Sequence, residues 1–162
     1  MKKIVLAGGC FWGVEAYFKL VDGVTDTTVV YADGPFKNPT YEQVCNGSGH
    51  AEAVEIVYDE TKVSLKTLLD HFFNIVDPTM KNRQGPDIGM QYRTGIYPFN
   101  TDDLVFIDEY LEAIKPNYDK PLEVDVKMNV SYDKAEDYHQ DYLDKNKNGY
   151  CHVNLASVKD VS

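Results

Sequence analysis

Strand and helix patterns alternate along the whole chain, which restricts the fold to the mixed α and β classes. The apolar run Ile4–Ala7 predicts a first strand, and a helical pattern begins after Gly8 and Gly9. The predicted order is strand, helix, strand, loop, strand, helix, strand, helix, strand, helix, and several connections are too short for a doubly wound sheet. We therefore expect an α/β (α+β) fold: a two-layer sandwich with one mixed sheet, helices mostly on one face, and a single domain over residues 1–162.

Helix caps and apolar periodicity set the predicted boundaries. The clearest helix has its N-cap at Ser64 and ends at Asp77-Pro78, with one apolar stripe between them. The stretch 79–90 has no periodicity, and long irregular connections in compact domains are often functional. The other predicted elements are a helix from about Cys10 to Lys19, a strand from Val24 to Tyr31, a loop from Asp33 to Thr40, a short helix from Tyr41 to Cys45, a strand ending at Tyr58, a strand from Tyr92 to Tyr97, a helix capped by Thr101 and reaching Ile114, a strand from Leu122 to Tyr132, and a helix that starts with a capping box at Asp133 and Glu136 and stops at Gly149.

The charge and hydropathy of the chain exclude several classes of partner. The formal net charge is −10 and there is no run of Lys or Arg, which argues against nucleic acid or an anionic membrane surface as a partner. No stretch approaches the roughly 20 apolar residues needed to cross a bilayer. The N-terminal segment faintly resembles a lipoprotein signal, but its apolar run is too short for one. We expect a cytoplasmic protein whose three cysteines are reduced.

Cys10 is the first candidate for chemistry, within the segment GGCFWGVE at residues 8–15. A thiol at a helix start faces unpaired N–H groups and the positive end of the helix dipole, which favour the thiolate. Trp12 is the only tryptophan and stands two residues later, so an aromatic wall beside the thiol is expected. The alternative is that Cys10 is a small buried apolar side chain, as free cysteines often are.

The other two cysteines lie in different settings. Cys151 follows Gly149 in a terminal segment of low regularity, from which a thiol can reach a sulfenic acid and close a disulfide. An incidental surface thiol fits the spacing of Cys151 equally well. Cys45 occupies the apolar register of a short helix, where core packing is favoured.

Several acids and phenols are candidates to assist a thiol. Glu52 begins an apolar strand register, where a carboxyl drawn into apolar surroundings stays protonated, although an ordinary strand-end glutamate also fits. Tyr41 and Tyr92 either donate hydrogen bonds to a polarised oxygen or simply pack, and Asp87 lies in the irregular stretch. No C-x-x-C pair, H-x-x-x-H pair or phosphate-binding glycine loop is present, so neither a metal site nor a cofactor is expected.

Motifs spread over most of the chain resemble, in order, those of the peptide methionine sulfoxide reductase A family. They are GCFWG at 9–13, GHAEAV at 49–54, DPT at 77–79, NRQG at 82–85, DIGMQYR at 87–93, AEDYHQ at 135–140 and NGYC at 148–151. The resemblance implies an enzyme whose sandwich is related to the ferredoxin-like plait and carries a long irregular C-terminal segment.

The resemblance also implies the catalytic roles. Cys10 would attack the sulfoxide sulfur of methionine S-sulfoxide and become a sulfenic acid, with Glu52 as the proton donor. Cys151 would then form a Cys10–Cys151 disulfide, which thioredoxin would reduce. The substrate would be free or in oxidised proteins, so the activity would repair oxidative damage. We expect the protein to act as a monomer.

The substrate-binding residues follow from the same resemblance. Phe11 and Trp12 would hold the S-methyl group, Tyr41 and Tyr92 would bind the sulfoxide oxygen, and Asp87 would order the site. Two other functions compete with this one: a redox sensor with a regulatory disulfide, and a cysteine peroxidase. A sensor has no need of a buried acid or of oxygen donors.

The chain departs from the family pattern in four places. The loop before His50 is one residue short, Val76 stands where histidine is usual, and Met80 replaces a usual glutamine. Residues 30–34 read VYADG in place of the usual Gly-Tyr-x-Gly-Gly. These departures concern loop geometry and the preference for protein substrates, and they leave the expected catalytic set intact.

Overall fold

Six strands form one mixed sheet in the computed structural model, which describes residues 1–161. Within that sheet, the β6–β7 pair is parallel and the other neighbouring pairs are antiparallel, so the expected mixed-sheet fold class is confirmed. In sheet order the strands are β7 (Val124–Val126), β6 (Thr94–Tyr97), β1 (Lys2–Gly8), β3 (Ala51–Tyr58), β2 (Val24–Ala32) and β8 (Tyr132–Lys134). The other elements are α1 (Phe11–Phe18), α2 (Tyr41–Cys45), α3 (Leu65–Ile75), α4 (Thr101–Ile114), α5 (Tyr142–Lys145) and the two-stranded ribbon of β4 (Arg83–Gln84) and β5 (Asp87–Ile88).

The central strand β1 is buried on both faces. Ile4 and Leu6 point into the main core, whereas Val5 and Ala7 point into a smaller cluster on the opposite face, as the two-residue period of a strand requires. Helices α1, α3 and α4 supply Val14, Phe72 and Ile107 to the main core. The other face is covered by Phe99, Val130 and Tyr132. These three helices therefore share one face of the sheet, which matches the expected layering.

Helix α3 agrees with its prediction, because the Ser64 side chain accepts a hydrogen bond from the N–H of Thr67. The predicted cap of α4 is wrong by one residue. The Asn100 side chain, not that of Thr101, accepts a hydrogen bond from the N–H of Asp103, at 2.8 Å. Asn100 has the extended backbone of an N-cap, while Thr101 is already helical.

The predicted single strand Leu122–Tyr132 is wrong. Its two ends belong to β7 and β8, which lie on opposite edges of the sheet. Between them Asn129 has a φ of 57°, and its N–H donates to the carbonyl of Pro98. The apolar alternation has two sources: Val124, Val126 and Tyr132 are half-buried in the two short strands, and Val130 of the connection packs against the sheet, whereas Met128 between them is exposed.

The predicted last helix is also wrong. Asp133 lies in β8, where its carboxylate accepts a hydrogen bond from the N–H of Asn38, so it is not a helix cap. The Glu136 carboxylate instead binds the Tyr31 hydroxyl at 2.7 Å and the Tyr41 N–H at 2.9 Å. These tertiary contacts replace the local capping box, and only a 3₁₀ turn (Asp137–His139) and the four-residue α5 form.

The segment after α5 is irregular, as expected, apart from a 3₁₀ helix (Leu155–Asp160). Helix α5 ends at Lys145, so Gly149 is not its stop; the Gly149 N–H closes a turn onto the carbonyl of Asn146. None of the helices found in residues 1–161 has the length and apolar character needed to cross a membrane.

Candidate active site

Cys10 lies at the junction of β1 and α1 and is the N-cap residue of that helix. Its side chain is buried, with 6% exposed. Gly9 has a φ of 89°, and a Cβ at this position would lie 2.9 Å from the Cβ of Gln84 and 3.1 Å from Nε2 of His152. Glycine is therefore needed before Cys10 both for the backbone conformation and for the close approach of two other segments.

The surroundings of Cys10 oppose a thiolate. Burial raises the pKa of the Cys10 thiol far above its usual value, and the nearby Glu52 carboxyl raises it further. Hydrogen bonds from the backbone N–H groups of Trp12 and Gly13 lower the pKa, but by less. The expectation that the helix start holds a thiolate is thus wrong for the resting protein, because loss of water outweighs the helix N-terminus.

Glu52 is carried by β3 and is 1% exposed. Its Oε1 accepts a hydrogen bond from the N–H of Phe11 at 3.2 Å, and its Oε2 has no hydrogen-bond partner among the described residues. Burial raises the pKa of Glu52 to about 8, because one backbone hydrogen bond does not replace the lost water. At neutral pH the carboxyl is mainly protonated, so it can donate a proton to a group bound beside Cys10.

Tyr41 and Tyr92 lie around Glu52, the first at the start of α2 and the second in a 3₁₀ turn (Met90–Tyr92). Burial raises the pKa of both phenols; the Cys45 sulfur is the next cause for Tyr41, and Glu52 is the next cause for Tyr92. Both side chains are half-buried and keep their protons at neutral pH. They are therefore hydrogen-bond donors placed near a protonated acid.

Two residues that were not among the predicted site residues, His139 and Tyr142, hold Trp12 in place. The indole Nε1–H donates to Nδ1 of His139 at 3.0 Å, and the Tyr142 ring stacks on the indole with centroids 3.8 Å apart and planes 9° apart. Burial lowers the pKa of His139, so its ring is neutral at pH 7 and its Nδ1 can accept the hydrogen bond from the indole N–H. The motif AEDYHQ marks this region in the sequence, but contact with Trp12 depends on the tertiary fold.

Phe11 is not exposed on the surface beside Trp12. Its ring is fully buried, 5.7 Å from the Tyr31 ring and 5.2 Å from the His139 ring between centroids. Trp12 is partly exposed and packs against the core from outside. The expected aromatic wall therefore has one accessible ring, that of Trp12, while the Phe11 ring is buried and, like the indole, contacts the His139 ring.

The C-terminal segment packs against α1 close to Cys10. The Tyr150 hydroxyl donates to Oδ2 of Asp87 at 2.9 Å, and the half-buried Cys151 thiol donates to the carbonyl of Val153 at 3.2 Å. A Cβ on Gly13 would lie 3.2 Å from the Cys151 sulfur, so this thiol covers the turn of α1 that follows Cys10. Asp87 and Cys151 thus belong to one assembly that borders Cys10, and all three cysteines of the chain are free thiols.

Cys45 is exposed, so the prediction that it packs in the core is wrong. Helix α2 is short and buries only Val44 among its five residues. Cys45 follows Tyr41 by four residues, so the two side chains share one face of the helix.

A metal ion has no evident place in the described part of the chain. Residues 1–161 contain no group of three or more His, Cys, Asp or Glu side chains arranged to bind one. His50 has both ring nitrogens engaged, one with Ser48 Oγ at 2.8 Å and one with the carbonyl of Phe36 at 2.7 Å. It therefore fixes the loop before β3 and has no free nitrogen to act as a base for a thiol.

Together these groups are suited to remove an oxygen atom from a bound substrate and transfer it to the Cys10 sulfur. A buried thiol lies beside a protonated acid with an unpartnered oxygen, two phenols can donate to a polarised oxygen, and an indole provides an apolar surface. Protonation of a bound oxygen makes the atom that carries it electrophilic, which is the condition for attack by a thiol.

Comparisons with known proteins point to the same chemistry. A family model described as "Peptide methionine sulfoxide reductase" matches residues 2–162. The peptide methionine sulfoxide reductase MsrA of Clostridium tetani is 54% identical over 156 residues, which is 96% of this chain and 95% of that protein.

Two solved structures have the same fold. Mxr1 of Saccharomyces cerevisiae in its reduced form has a TM-score of 0.88 and 38% sequence identity, over 95% of this chain and 91% of that chain. Mxr1 in complex with Trx2 has a TM-score of 0.63 and 26% identity, over 87% and 84% of the two chains. Given the match over nearly its entire length, the chain belongs to the peptide methionine sulfoxide reductase family.

Proposed function

We propose that this protein is a peptide-methionine (S)-S-oxide reductase, which reduces methionine S-sulfoxide, free or in oxidised proteins, to methionine at the expense of thiols. The observation that carries the proposal is the Glu52 carboxyl, 1% exposed next to the Cys10 thiol and with one oxygen unpartnered among the described residues, where burial raises its pKa to about 8. Such an acid is needed to activate a sulfoxide and has no purpose in a redox sensor.

The first step is reduction of the sulfoxide at Cys10. The sulfoxide oxygen accepts hydrogen bonds from Tyr41 and Tyr92 and a proton from Glu52, which makes the sulfur electrophilic. The Cys10 sulfur attacks that sulfur as its own proton passes to the Glu52 carboxylate. This attack forms a bond between the two sulfurs. The oxygen, now a hydroxyl, then passes to the Cys10 sulfur as the sulfur–oxygen bond of the substrate and the new sulfur–sulfur bond break, so methionine leaves and Cys10 carries the oxygen as a sulfenic acid. The protonated Glu52 is restored, so no charged thiolate is needed before substrate binds.

Recognition of the S-methyl group is assigned to Trp12, backed by the buried Phe11. His139 and Tyr142 fix the indole plane, so the methyl group meets a surface that does not rotate. With the oxygen fixed at Glu52, the methyl group at Trp12 and the rest of the substrate directed to the solvent, only one sulfoxide epimer presents its sulfur correctly to Cys10. The S epimer is the one that family membership implies.

The second step regenerates the thiols. Cys151 attacks the sulfenic sulfur of Cys10, a Cys10–Cys151 disulfide forms, and water leaves. Cys151 must first give up its hydrogen bond to the carbonyl of Val153, and Asp87 orders this segment through Tyr150. A dithiol protein then reduces the disulfide; the similarity to a structure solved with Trx2 supports thioredoxin as that protein.

The remaining assignments concern the whole molecule. We infer that residues 1–162 act as a single catalytic domain and as a monomer, because the groups proposed for catalysis, from Cys10 to Cys151, come from one chain and surround one site. Three free thiols fit a reducing compartment, so we place the protein in the cytoplasm. The proposed chemistry uses no metal ion and no cofactor.

The substrate assignment is tested with resolved S and R sulfoxides and with hydrogen peroxide, under the same dithiol reductant. The wild-type protein should reduce the S epimer much faster than the R epimer or peroxide, and Cys10→Ser should abolish the reaction because the attacking sulfur is gone. Faster turnover with peroxide would make the protein a peroxidase, and substantial S-sulfoxide turnover by Cys10→Ser would refute the assignment of Cys10.

The role of Glu52 is tested by the pH dependence of kcat/KM for the S-sulfoxide. The acid is protonated below its pKa of about 8 and loses its proton above it, so kcat/KM should fall as pH rises through about 8. Glu52→Gln should lower the rate by about 100-fold or more and remove that alkaline limb.

The matched control is Glu55→Gln, which lies on the same strand but on the opposite face, with its carboxylate bound to the Tyr132 hydroxyl at 2.6 Å. This variant should keep both the rate and the pH profile. An alkaline limb near pH 8 that persists in Glu52→Gln would assign the proton to another group.

The resolving cysteine is identified by single-turnover analysis of cysteine variants. Cys151→Ser should release one methionine per protein and then stop, with a sulfenic acid trapped at Cys10, because no thiol is left to displace it. Cys45→Ser should still turn over many times with a dithiol. A disulfide between Cys10 and Cys45 in the Cys151→Ser variant would instead make the exposed Cys45 the resolver.

A further inference from the structure

We propose that Glu15 is a positioning residue for substrate recognition: it anchors the corner of chain that clamps Trp12, and so sets the affinity for the methyl sulfoxide. The inference rests on the function proposed above and extends it to a residue that makes no contact with the reacting atoms. The corner is defined as residues 139–142, which include the two side chains that hold the indole.

Glu15 is a buried carboxyl that the proposed mechanism does not use. It follows Trp12 by one turn of α1, and its side chain is 1% exposed. Oε1 accepts a hydrogen bond from the N–H of Asp141 at 2.7 Å, and Oε2 accepts one from Oγ1 of Thr27 at 2.8 Å. A carboxyl is costly to bury unless its oxygens are paired, and here both oxygens have a donor.

The contact with Asp141 falls on the residue that turns the corner. Asp141 has φ 55° and ψ 34°, the left-handed conformation that few residues other than glycine adopt. This residue lies between His139, which reaches the indole nitrogen, and Tyr142, which stacks on the indole ring face. Lys19, one turn after Glu15, also pairs with the Asp141 carboxylate, so α1 holds both the backbone and the side chain of this residue.

A second anchor holds the other side of the corner but does not replace Glu15. The Gln140 side chain accepts from the N–H of Val29 and donates to its carbonyl, both at 2.9 Å, which fixes the corner to the edge of β2. Glu15 instead fixes it to α1, the helix that carries Trp12 itself. Because Glu15 and Trp12 lie on the same helix, the Glu15 contact helps to set the distance between the indole and its two partners in the corner.

The test uses Glu15→Met, which has a similar length but no acceptor, and Glu15→Gln, whose amide oxygen can still accept from Asp141. Glu15→Met should raise KM for the S-sulfoxide by about tenfold, the ratio expected for one hydrogen bond to a charged group, with little change in kcat. Trp12 is the only tryptophan, so its fluorescence should become more accessible to a soluble quencher in Glu15→Met. Glu15→Gln should restore most of both properties.

A matched control separates positioning from general stability. Tyr17→Phe removes a buried hydroxyl of the same helix, one that bonds to His71 at 2.7 Å and to Asn74 at 3.2 Å and lies outside the corner. This variant should lose stability without a change in KM or in the quenching of Trp12. If Glu15→Met does not fold, Thr27→Val removes the other donor to the carboxyl and should shift KM and quenching in the same direction.

The double variant Trp12→Phe with Glu15→Met gives the decisive comparison. If Glu15 acts through Trp12, adding Glu15→Met to Trp12→Phe should not raise KM further. Equal increases in both backgrounds, or wild-type KM and quenching in Glu15→Met, would overturn the inference. A wild-type protein inactive on the S-sulfoxide would instead refute the proposed function, while the quenching measurement would still test the anchor.

Discussion

The burial of Glu52 beside Cys10 is the interaction on which the site depends. Strands β1 and β3 pair so that Leu6 faces Val54, and continuing this register by two residues brings Gly8 level with Glu52. The N–H of Phe11 then meets the Glu52 carboxyl and ties the strand to the start of α1. Without water, the carboxyl keeps its proton near neutral pH and the neighbouring thiol keeps its own. The Cys10 thiol and the Glu52 carboxyl are therefore both neutral in the resting site, which suits a neutral substrate that has to be protonated and attacked in one step.

Segments distant in the sequence complete the site around the first turns of α1. The corner that contains His139 fixes the indole of Trp12, and the segment that contains Cys151 covers Gly13 on the same helix. Asp87 links this last segment to the ribbon of β4 and β5 through the Tyr150 hydroxyl. One short helix thus carries the proposed nucleophile and the methyl-binding ring, and it contacts the thiol proposed to resolve the sulfenic acid.

Sequence patterns predicted most of the fold and the residues that meet at the site, but not their energetics. Helix α3 and the strand-turn-helix at Cys10 follow from local periodicity, which is why they were predictable. The stretch from Leu122 to Tyr132 was predicted as one strand because its apolar residues alternate. Such alternation does not show which neighbouring strand a segment pairs with, and here the two ends pair at opposite edges of the sheet. Likewise, the position of Cys10 at a helix start predicts a thiolate, whereas in the folded protein burial removes the thiol from water and raises its pKa. Glu136 matches a capping box in the sequence, yet its carboxylate accepts hydrogen bonds from the Tyr31 hydroxyl and the Tyr41 N–H, about a hundred residues away in the chain.

Infrared spectroscopy of the reduced protein tests most directly whether Glu52 holds a proton beside Cys10. Difference spectra between the wild type and Glu52→Gln isolate the signal of this carboxyl from the other acids of the chain. We expect the carbonyl band of a protonated, buried carboxylic acid at pH 7, which disappears as pH rises through about 8. A carboxylate signal for Glu52 at pH 7, with no protonated band above pH 5, would contradict the account.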